Sequence, residues 1–316
     1  MDFLNLSDKP LVLKNQLPGL ERFILLPDHC PGKGLLPEGS VAVFDRSGHT
    51  ASSEYLGPDV GCGMTLARFE GPIDDIEHVN YKIWEGLRAV KTELGSLGSG
   101  NHFINLYEVS SVKGNSLAEN SLSLNVKDAV VVVHSGSRLQ GKAVYESGVS
   151  GEDYLRLYEG LIDFARRNRE KLLQLVEKSA GKKLSILIDK PHNTLEVKDE
   201  RVLYRRGAIK LIPGEYAVLT SAIGREAVVI KGKETLSEIN FSMCHGTGRK
   251  IPRSEAKLRY FNSDSLREKI SIPSFLYDSQ FHTEFPQCFR SLEEVMPRID
   301  KYVSVVARLK ARSYTC

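Results

Sequence analysis

The chain lacks the features of several protein classes: it has no Cys-x-x-Cys pair, no long apolar run, no repeat and no low-complexity segment. Its five cysteines form no regular framework, and their odd number, without an N-terminal signal region, leads us to expect reduced thiols and a cytoplasmic protein. Apolar runs such as residues 129–133 are far too short to cross a bilayer, so we expect no membrane association. What remains is a chain of 316 residues with 41% hydrophobic content, enough to bury a large core as one domain or as two interleaved halves.

An excess of charge is missing as well. The 43 basic and 40 acidic residues leave a net charge of +3, which does not indicate a nucleic-acid-binding protein, although a local basic patch can still hold a phosphate backbone. A Gly-x-Gly-x-x-Gly motif after the first strand and a regular strand–helix alternation are absent too. We therefore predict an α+β fold, with central β-sheets flanked by helices, and not a doubly wound parallel sheet.

Short apolar runs predict the strands of this fold. They lie at residues 11–13, 23–26, 41–44, 130–133, 184–188 and 227–230. Longer segments predict helices at about residues 75–94 and 152–178, and a last helix that begins near Ser291 and continues through Leu309. We expect the basic stretch 166–169 to be a solvated helix face and the polar segment 115–125 to be exposed.

One stretch, residues 242–253, combines a histidine with two glycines and several cations. Gly246 and Gly248 allow backbone N–H groups to approach a ligand closely, and the guanidinium of Arg249 suits phosphate oxygens. A histidine beside such a turn can attack phosphorus and carry a phosphoryl or nucleotidyl group covalently. The alternative is a surface loop in which His245 caps a turn, and this segment alone does not decide between them.

Three further histidines follow glycine-rich turns or strand ends. His102 follows three glycines, and His134 and His192 each follow a predicted buried strand. Asp59 and Cys62 lie three positions apart among glycines, so one tight turn can offer a carboxylate and a thiolate. Scattered ligands are typical of a catalytic metal site, in which carboxylate favours manganese and cysteine favours zinc. The alternative is a set of separate histidines, with Cys62 as a small core residue.

Taken together and in order, the motifs of the chain resemble those of the RtcB family of RNA ligases. The matching segments are Leu26-Pro27-Asp28 through Pro31-Gly32, Asp59-Val60-Gly61-Cys62-Gly63, Leu97-Gly98-Ser99-Gly100-Asn101-His102-Phe103, His134-Ser135-Gly136-Ser137-Arg138, His192-Asn193 and Cys244-His245-Gly246-Thr247-Gly248-Arg249. Ordered motifs over most of the chain are far more specific than any one of them. The resemblance implies a single catalytic domain over residues 1–316 with a metal site in a central cleft.

The resemblance also implies an activity. The family joins RNA ends bearing a 3′-phosphate or 2′,3′-cyclic phosphate to ends bearing a 5′-hydroxyl, in tRNA splicing and RNA repair, with GTP and manganese. The implied ligands of a pair of Mn²⁺ ions, with Cys62 between them, are Asp59, Cys62, His102, His134 and His192. The implied nucleophile, which becomes guanylylated, is His245. The implied nucleotide contacts come from Asn101, Ser135, Gly246, Thr247, Gly248 and Arg249. The expected protein partner is an archease-like activator.

The departures from the family pattern concern mainly the base of the nucleotide. Asn105 stands where the family has a glutamate that recognises guanine, and the chain ends in Tyr314-Thr315-Cys316 without the family's lysine. The nucleotide loop reads Thr220-Ser221-Ala222-Ile223-Gly224 in place of Pro-Gly-Ser-Met-Gly. The early histidine is displaced in Asp28-His29-Cys30, which offers three further candidate metal ligands. We therefore expect the metal and phosphate chemistry to persist with a relaxed choice between GTP and ATP.

Two function classes stay open on the sequence. One is an RNA ligase, and the other is a metal-dependent RNA-binding protein or RNA-end phosphohydrolase that has lost ligation. All the implied ligands and His245 are present, which favours an enzyme, but ligase and hydrolase share the metal site. Detection of a covalent nucleotide adduct separates the two classes.

Overall fold

The structure is a computed structural model that describes residues 1–11, 17–90, 92–98, 101–113, 122–276 and 281–316. Most of the predicted strand at 11–13 and of the predicted exposed segment at 115–125, and Ser99 and Gly100 of the glycine-rich motif, lie outside the described residues. The α-helices are α1 (Ser53–Leu56), α2 (Ile76–Ala89), α3 (Arg138–Glu146), α4 (Gly151–Ala180), α5 (Arg253–Ala256), α6 (Asp264–Arg267) and α7 (Leu292–Ile299). Short 3₁₀ helices cover Arg46–Gly48, Glu234–Ile239, His282–Glu284 and Pro286–Cys288.

The strands form three sheets. In chain order they are β1 (Asp2–Asn5), β2 (Leu20–Cys30), β3 (Glu38–Asp45), β4 (Gly63–Phe69), β5 (Phe103–Val112), β6 (Ala129–Ser135), β7 (Leu184–Pro191), β8 (Asn193–Lys198), β9 (Arg201–Arg206), β10 (Ala208–Lys210), β11 (Tyr216–Leu219), β12 (Ala227–Gly232), β13 (Ser242–Cys244) and β14 (Val303–Ala311). The sheets have the strand orders β11-β12-β14-β5-β6-β4-β7, β1-β2-β3-β9-β8 and β10-β13. Among these described strands, only β1 and β2 pair in parallel. The predicted α+β class is therefore confirmed, and a doubly wound parallel sheet is excluded.

The seven-stranded sheet separates two parts of the core. Along β6, side chains alternate between its two faces, as the geometry of a strand requires. Val131 and Val133 pack with α2 and α4 on one face, whereas Val130 and Val132 pack on the other face with aromatic side chains from the C-terminal third. Both faces of the sheet are thus covered, and its strand ends are left to form the site described below.

The predicted last helix is wrong in its second half. It begins as expected, with a capping box in which Ser291 and Glu294 satisfy each other's backbone N–H groups, but it ends at Ile299. Residues 303–311 form strand β14, whose side chains alternate largely between buried and exposed and which pairs with β12 and β5. The helix predicted to run to residue 94 likewise ends at Ala89, whereas α4 occupies nearly the predicted range.

Within the described part of the chain, no helix combines the length and the apolar character needed to cross a bilayer.

Candidate active site

Strand ends of the seven-stranded sheet bring the candidate metal ligands together. Cys62 directly precedes β4 and His102 directly precedes β5, whereas His134 lies near the end of β6 and His192 directly follows β7. Because neighbouring strands are antiparallel, β4 and β5 begin where β6 and β7 end, and Phe103 pairs with His134 in the register. All four side chains therefore lie at the same end of adjacent strands in one sheet.

Cys62 lies at the centre of the resulting cluster. Its Sγ is 3.2 Å from His134 Nε2 and 3.3 Å from His102 Nε2, and His134 Nε2 is 3.2 Å from His192 Nε2. The ligand atoms of Cys62, His134 and His192 all lie within 4.8 Å of one another. We call the four buried residues Cys62, His102, His134 and His192 the His/Cys cluster. One sulfur and several imidazole nitrogens at this spacing are a donor set that suits a transition metal.

Backbone carbonyls orient two of the imidazoles so that Nε2 faces the cluster. His102 Nδ1 lies 2.9 Å from the carbonyl oxygen of Leu97, and His134 Nδ1 lies 3.0 Å from that of Asn101. His102 Nδ1 also lies 3.2 Å from Arg138 Nη1, which can only donate. A carbonyl can only accept, so in His134 Nδ1 carries the proton of the neutral ring and Nε2 keeps its lone pair. This is the arrangement by which neighbouring groups orient histidine ligands of metals.

Burial keeps the imidazoles neutral. Burial, together with the other rings of the site, holds the pKa of His134 and His192 well below the usual value, and burial lowers the pKa of His102 as well. Burial, and after it the Asp59 carboxylate, raises the pKa of the Cys62 thiol. Neutral imidazole and thiolate are the forms that bind metal, so a divalent cation would stabilise the ionised sulfur here.

Asp59 lies at the exposed rim of the cluster. Its backbone carbonyl accepts the Cys62 N–H at 3.0 Å, and its carboxylate is outside the group of ligand atoms that lie within 4.8 Å of one another. Its negative charge raises the pKa of the Cys62 thiol and opposes the lowering of the His102 pKa by burial. All predicted metal ligands except Asp59 therefore meet in the cluster, and Asp59 stands beside it near His102.

His245 packs directly on the cluster. Its ring stacks on His192 with the ring centres 4.2 Å apart and the planes at 27°. Its Nδ1 is 2.8 Å from the Gly207 carbonyl oxygen and 2.9 Å from Oδ2 of the buried Asp28, which leaves Nε2 free to react. Burial lowers the pKa of His245, but the hydrogen bond and the negative charge of Asp28 outweigh this effect and raise it.

Asn193 links the metal loop to the surroundings of His245. Its Nδ2 donates to the Asp59 carbonyl at 2.9 Å, and its Oδ1 accepts the Gly207 N–H at 2.7 Å. Gly207 in turn presents its carbonyl to His245 Nδ1. One amide side chain therefore fixes the distance between the loop that carries Cys62 and the group that orients His245.

Helix α4 holds the same loops, and the expectation of a solvated face at 166–169 is wrong for half of it. Arg166 and Arg167 are exposed, but Asn168 and Arg169 are buried. The physical reason is helical geometry: four consecutive residues turn through about 300°, so they cannot share one face.

The two buried residues of that stretch bind the loops of the site. Asn168 accepts the Gly95 N–H at 2.6 Å and donates to Ser135 Oγ at 2.8 Å. Arg169 forms a two-pronged ion pair with Asp189 at 2.7 and 3.0 Å and donates to the Gly61 carbonyl at 3.0 Å. These contacts tie the segments just before His102, just after His134 and just before Cys62 to one rigid helix.

The predicted nucleotide contacts occupy different environments. Asn101 is exposed at the rim of the cluster, whereas the Ser135 hydroxyl is buried against α4. Gly246 and Thr247 lie against Thr220, whose carbonyl accepts the Thr247 N–H at 3.1 Å. Of these groups, the Asn101 side chain is the most accessible to a ligand.

Gly248 and Arg249 are also engaged within the protein. Gly248 has φ +71°, and a Cβ on it would lie 2.2 Å from the Asp28 carbonyl oxygen, so this position needs glycine for packing. The Arg249 guanidinium lies 3.3 Å from the Glu284 carboxylate and packs on the Phe289 ring. Its contact with a nucleotide phosphate stays a prediction, and it requires an exchange of partners.

The early candidate ligands at 28–30 do not form a metal site of their own. Asp28 orients His245, His29 Nδ1 lies 3.2 Å from the Glu38 carbonyl oxygen, and burial raises the pKa of Cys30 to about 11. Within the described ranges, none of the three belongs to a group of possible metal ligands.

Sequence reasoning missed the partner of His245 and the residues that position the loops. A signal for Asp28 was present, because it is a carboxylate at the end of an apolar strand, where a charge is buried only with a partner. Asn193 was part of a matching segment, but its role was not foreseen, and no signal marked Asn168, since the partners of both are mostly backbone groups of loops far away in sequence.

Comparison with known proteins agrees with this geometry. The family model described as tRNA-splicing ligase RtcB matches residues 85–149 and 143–314. The chain is 27% identical to the RNA-splicing ligase RtcB2 of Escherichia coli, over 89% of this chain and 83% of that protein. It is 26% identical to the tRNA-splicing ligase RtcB of Nanoarchaeum equitans, over 92% and 85%, and 26% identical to that of Thermococcus kodakarensis, over 80% and 78%. With most of its length matched by the family model, and with its strand-end histidines gathered around one cysteine, this chain belongs to the RtcB family.

Proposed function

We propose that this protein is a metal-dependent RNA ligase that joins a 3′-phosphate or 2′,3′-cyclic phosphate end to a 5′-hydroxyl end through a nucleotide carried on His245. The observation that carries the proposal is the position of His245. One of its ring nitrogens is engaged by Asp28 and Gly207, the other is free, and the ring stacks on a residue of the His/Cys cluster. The names of the relatives, RNA-splicing and tRNA-splicing ligases, support the choice of reaction.

The cluster residues fit a divalent metal ion. Two Nε2 atoms lie against one sulfur, and that sulfur is buried where only a nearby cation can stabilise its ionised form. Cys62, His134 and His192 would hold one ion, and Cys62, His102 and Asp59 a second. We propose manganese, with zinc as the competing ion, because the donor set mixes carboxylate, imidazole and thiolate. Bound metal would supply neutralisation of phosphate charge.

His245 is the proposed nucleophile. Its Nε2 lone pair attacks the α-phosphorus of GTP, a nitrogen–phosphorus bond forms, and the bond from the α-phosphorus to pyrophosphate breaks. Asp28 accepts the Nδ1 proton in a hydrogen bond and stabilises the positive charge that the ring acquires, much as a carboxylate does in a catalytic triad. An oxygen of the RNA 3′-phosphate then attacks the phosphorus of the bound GMP, so that a phosphorus–oxygen bond forms and the bond to His245 Nε2 breaks. The 5′-hydroxyl oxygen next attacks the RNA phosphate, GMP leaves, and the hydroxyl proton is released to solvent. A cyclic phosphate is first opened by hydrolysis.

We further propose that the choice of base is relaxed. Asn105 is buried, its Nδ2 lies 3.5 Å from the Tyr107 hydroxyl, and its Oδ1 has no hydrogen-bond partner among the described residues. A neutral amide offers both a donor and an acceptor, whereas a carboxylate offers acceptors alone and selects a base that presents donors. A site without dedicated partners for guanine has little power to reject adenine. GTP and ATP are therefore both proposed as nucleotide donors.

The biological setting is proposed from the same family membership. It comprises a single catalytic domain over residues 1–316, RNA repair or tRNA splicing in the cytoplasm, and activation by an archease-like protein. Cell fractionation and co-purification of the activator test location and partner independently of the chemistry.

The decisive experiment is detection of the covalent intermediate. Incubation with manganese and α-labelled GTP or ATP should give an acid-labile adduct that mass spectrometry places on His245. His245→Ala should abolish it, whereas His49→Ala should keep it, because His49 bonds the Tyr204 hydroxyl in a separate aromatic cluster. An adduct on another residue contradicts the nucleophile assignment, and strict GTP dependence contradicts the relaxed base choice. A metal-loaded protein that forms no adduct favours the RNA-end phosphohydrolase.

A further inference from the structure

A short segment that follows the His245 loop projects from the protein while both of its ends are anchored. At its start, Ala256 of α5 is fully buried and Arg253 pairs with Glu284 at 3.0 Å. At its end, the Phe261 ring stacks on Phe285 with centres 5.3 Å apart and planes at 18°. We call residues 253–261 the anchored tip.

The apex of the anchored tip exposes two large apolar side chains. Leu258 is 88% exposed and Tyr260 is 87% exposed, more than any other large hydrophobic side chain in the described ranges. The Tyr260 ring contacts no other aromatic ring or cation among the described residues. Exposing a tyrosine on an anchored turn gains nothing for the core, because burial is what makes such a ring stabilising.

The exposed Tyr260 ring lies in a basic stretch of the chain. Residues 249–260 contain five basic side chains (Arg249, Lys250, Arg253, Lys257 and Arg259) and one acid, Glu255. Four of the five are ion-paired: Arg249 and Arg253 with Glu284, Lys250 with Glu294, and Arg259 with Glu255. Lys257 has no ion pair within the described part of the chain and is the cation that stays free for a ligand. An aromatic face beside unneutralised positive charge matches a nucleic acid strand, which offers stacked bases and phosphates together.

We propose that the anchored tip binds the RNA strand whose end is joined, with Tyr260 stacking on a nucleobase and Lys257 holding a nearby phosphate. The inference rests on the proposed function for the identity of the ligand. The tip begins eight residues after His245, and Glu284 pairs with both Arg249 of the His245 loop and Arg253 of the tip. The tip is therefore tied to the loop that carries the proposed nucleophile. Stacking on Tyr260 reads no base edge, so the contact is indifferent to sequence.

Binding of a fluorescent single-stranded RNA with a 3′-phosphate, followed by anisotropy, tests the stacking contact. Tyr260→Ala should weaken binding by about 5- to 150-fold, the range that the loss of one base–aromatic stack gives. Tyr260→Phe keeps the ring and should bind within about twofold of the parent. Equal binding by the parent and Tyr260→Ala, or an equal loss in Tyr260→Phe, overturns the proposal.

The salt dependence of the same binding tests the phosphate contact. Lys257→Gln should reduce the slope of log K against log salt by about 0.7, the value for one lost contact to a single strand. Lys178→Gln is the matched control, since Lys178 is an exposed lysine on α4, which packs on the opposite face of the seven-stranded sheet. Equal slopes for Lys257→Gln and Lys178→Gln contradict the assignment.

Adduct formation on His245 separates this inference from the proposed function. All these variants should form the covalent nucleotide at the parent rate, because none of the changed residues contacts His245. If the adduct forms and RNA binding ignores Tyr260, the anchored tip is not the RNA site, although the ligase chemistry stands. If Tyr260→Ala loses RNA binding and neither the parent nor any variant forms an adduct, the anchored tip remains the RNA site and the proposed chemistry fails.

Discussion

Cys62 is the residue on which the His/Cys cluster depends, because its sulfur contacts two histidines at 3.2 and 3.3 Å. Cys62→Ala removes the one atom shared by the proposed ion sites, so metal content measured by elemental analysis should fall to background and ligation should cease. The fold should persist, with a loss of about 1 kcal/mol from a small buried group.

Cys288→Ala is the matched control for that change. Cys288 is fully buried but outside the cluster, so this variant should keep its metal and its activity. Unchanged metal content in Cys62→Ala would refute the assignment of the cluster.

Asp28 acts on the reaction through the orientation of His245. Asp28→Asn keeps the volume of the side chain but removes the negative charge beside Nδ1. We expect adduct formation to slow by about 100-fold or more, since small misplacements of a reacting group have effects of this size, while metal content stays the same. Rapid-quench measurement of adduct formation tests this, and a rate within threefold of the parent speaks against an orienting role.

At the scale of elements, α4 is a structural support for the site as well as a core helix. Asn168→Ala should weaken metal binding by about 10- to 100-fold, because residues that position metal ligands have effects of that order. Arg166→Ala lies on the exposed face of the same helix and should change neither metal affinity nor the free energy of unfolding by more than about 0.5 kcal/mol. A competitive chelator titration compares the two variants, and equal affinities would show that Asn168 does not position the metal ligands.

Hydrophobic patterns in the sequence predict a helix or strand correctly where the fold buries the face that the pattern marks as apolar. The amphipathic stripe of α4 and the apolar run of β6 are examples, since each is decided mainly by which face is buried. Residues 303–311 show the limit. Val303, Val306 and Leu309 fit a helical spacing, but the segment pairs with β12 and β5, and those distant partners decide its structure.

The site was predictable to the extent that its groups sit at strand ends. His134 and His192 follow apolar strands, and such ends are where a sheet presents side chains. The roles of Asn193 and Asn168 were not predictable, because they depend on backbone groups brought near only by the complete fold.

At the scale of the whole molecule, the pair Asp8–Arg290 joins the N-terminal segment to the C-terminal third. The hydrogen bond from Arg290 is the main cause that lowers the pKa of Asp8 below its usual value. Burial opposes this effect, and the positive charge of Arg290 adds to it. A carboxyl group with a lowered pKa in the folded state stabilises the fold above about pH 4, its value in the unfolded chain, and loses this effect as the pH falls through the folded value.

Asp8→Asn should therefore lower the free energy of unfolding at pH 7, by about 1 kcal/mol for a partly exposed pair. The difference from the parent should shrink as the pH is lowered below about 4, which urea titrations at several pH values measure. A difference that is constant with pH would show that the charge of Asp8 is not the source of the stability.

Metal should also stabilise the molecule as a whole, because the cluster draws ligands from four separate loops and a metal bound only by the folded state adds to its stability. At a free metal concentration 100 times the dissociation constant the gain is about 2.7 kcal/mol, so chelation should lower the melting temperature by a few degrees. Cys62→Ala should show no such response, and an equal response in both proteins would place the metal elsewhere.

Asp28 and His245, which share a hydrogen bond, lie 217 positions apart in the chain, whereas the His/Cys cluster is complete in sequence by residue 192. The strands that carry the cluster, β4 to β7, are neighbours in one sheet and leave the ribosome well before the nucleophile does. Chains are synthesised at roughly 5–20 residues per second, so for several seconds a nascent chain has all of its cluster ligands and no His245. Under the proposed function, this order of synthesis would allow metal to bind before the chain can carry a nucleotide.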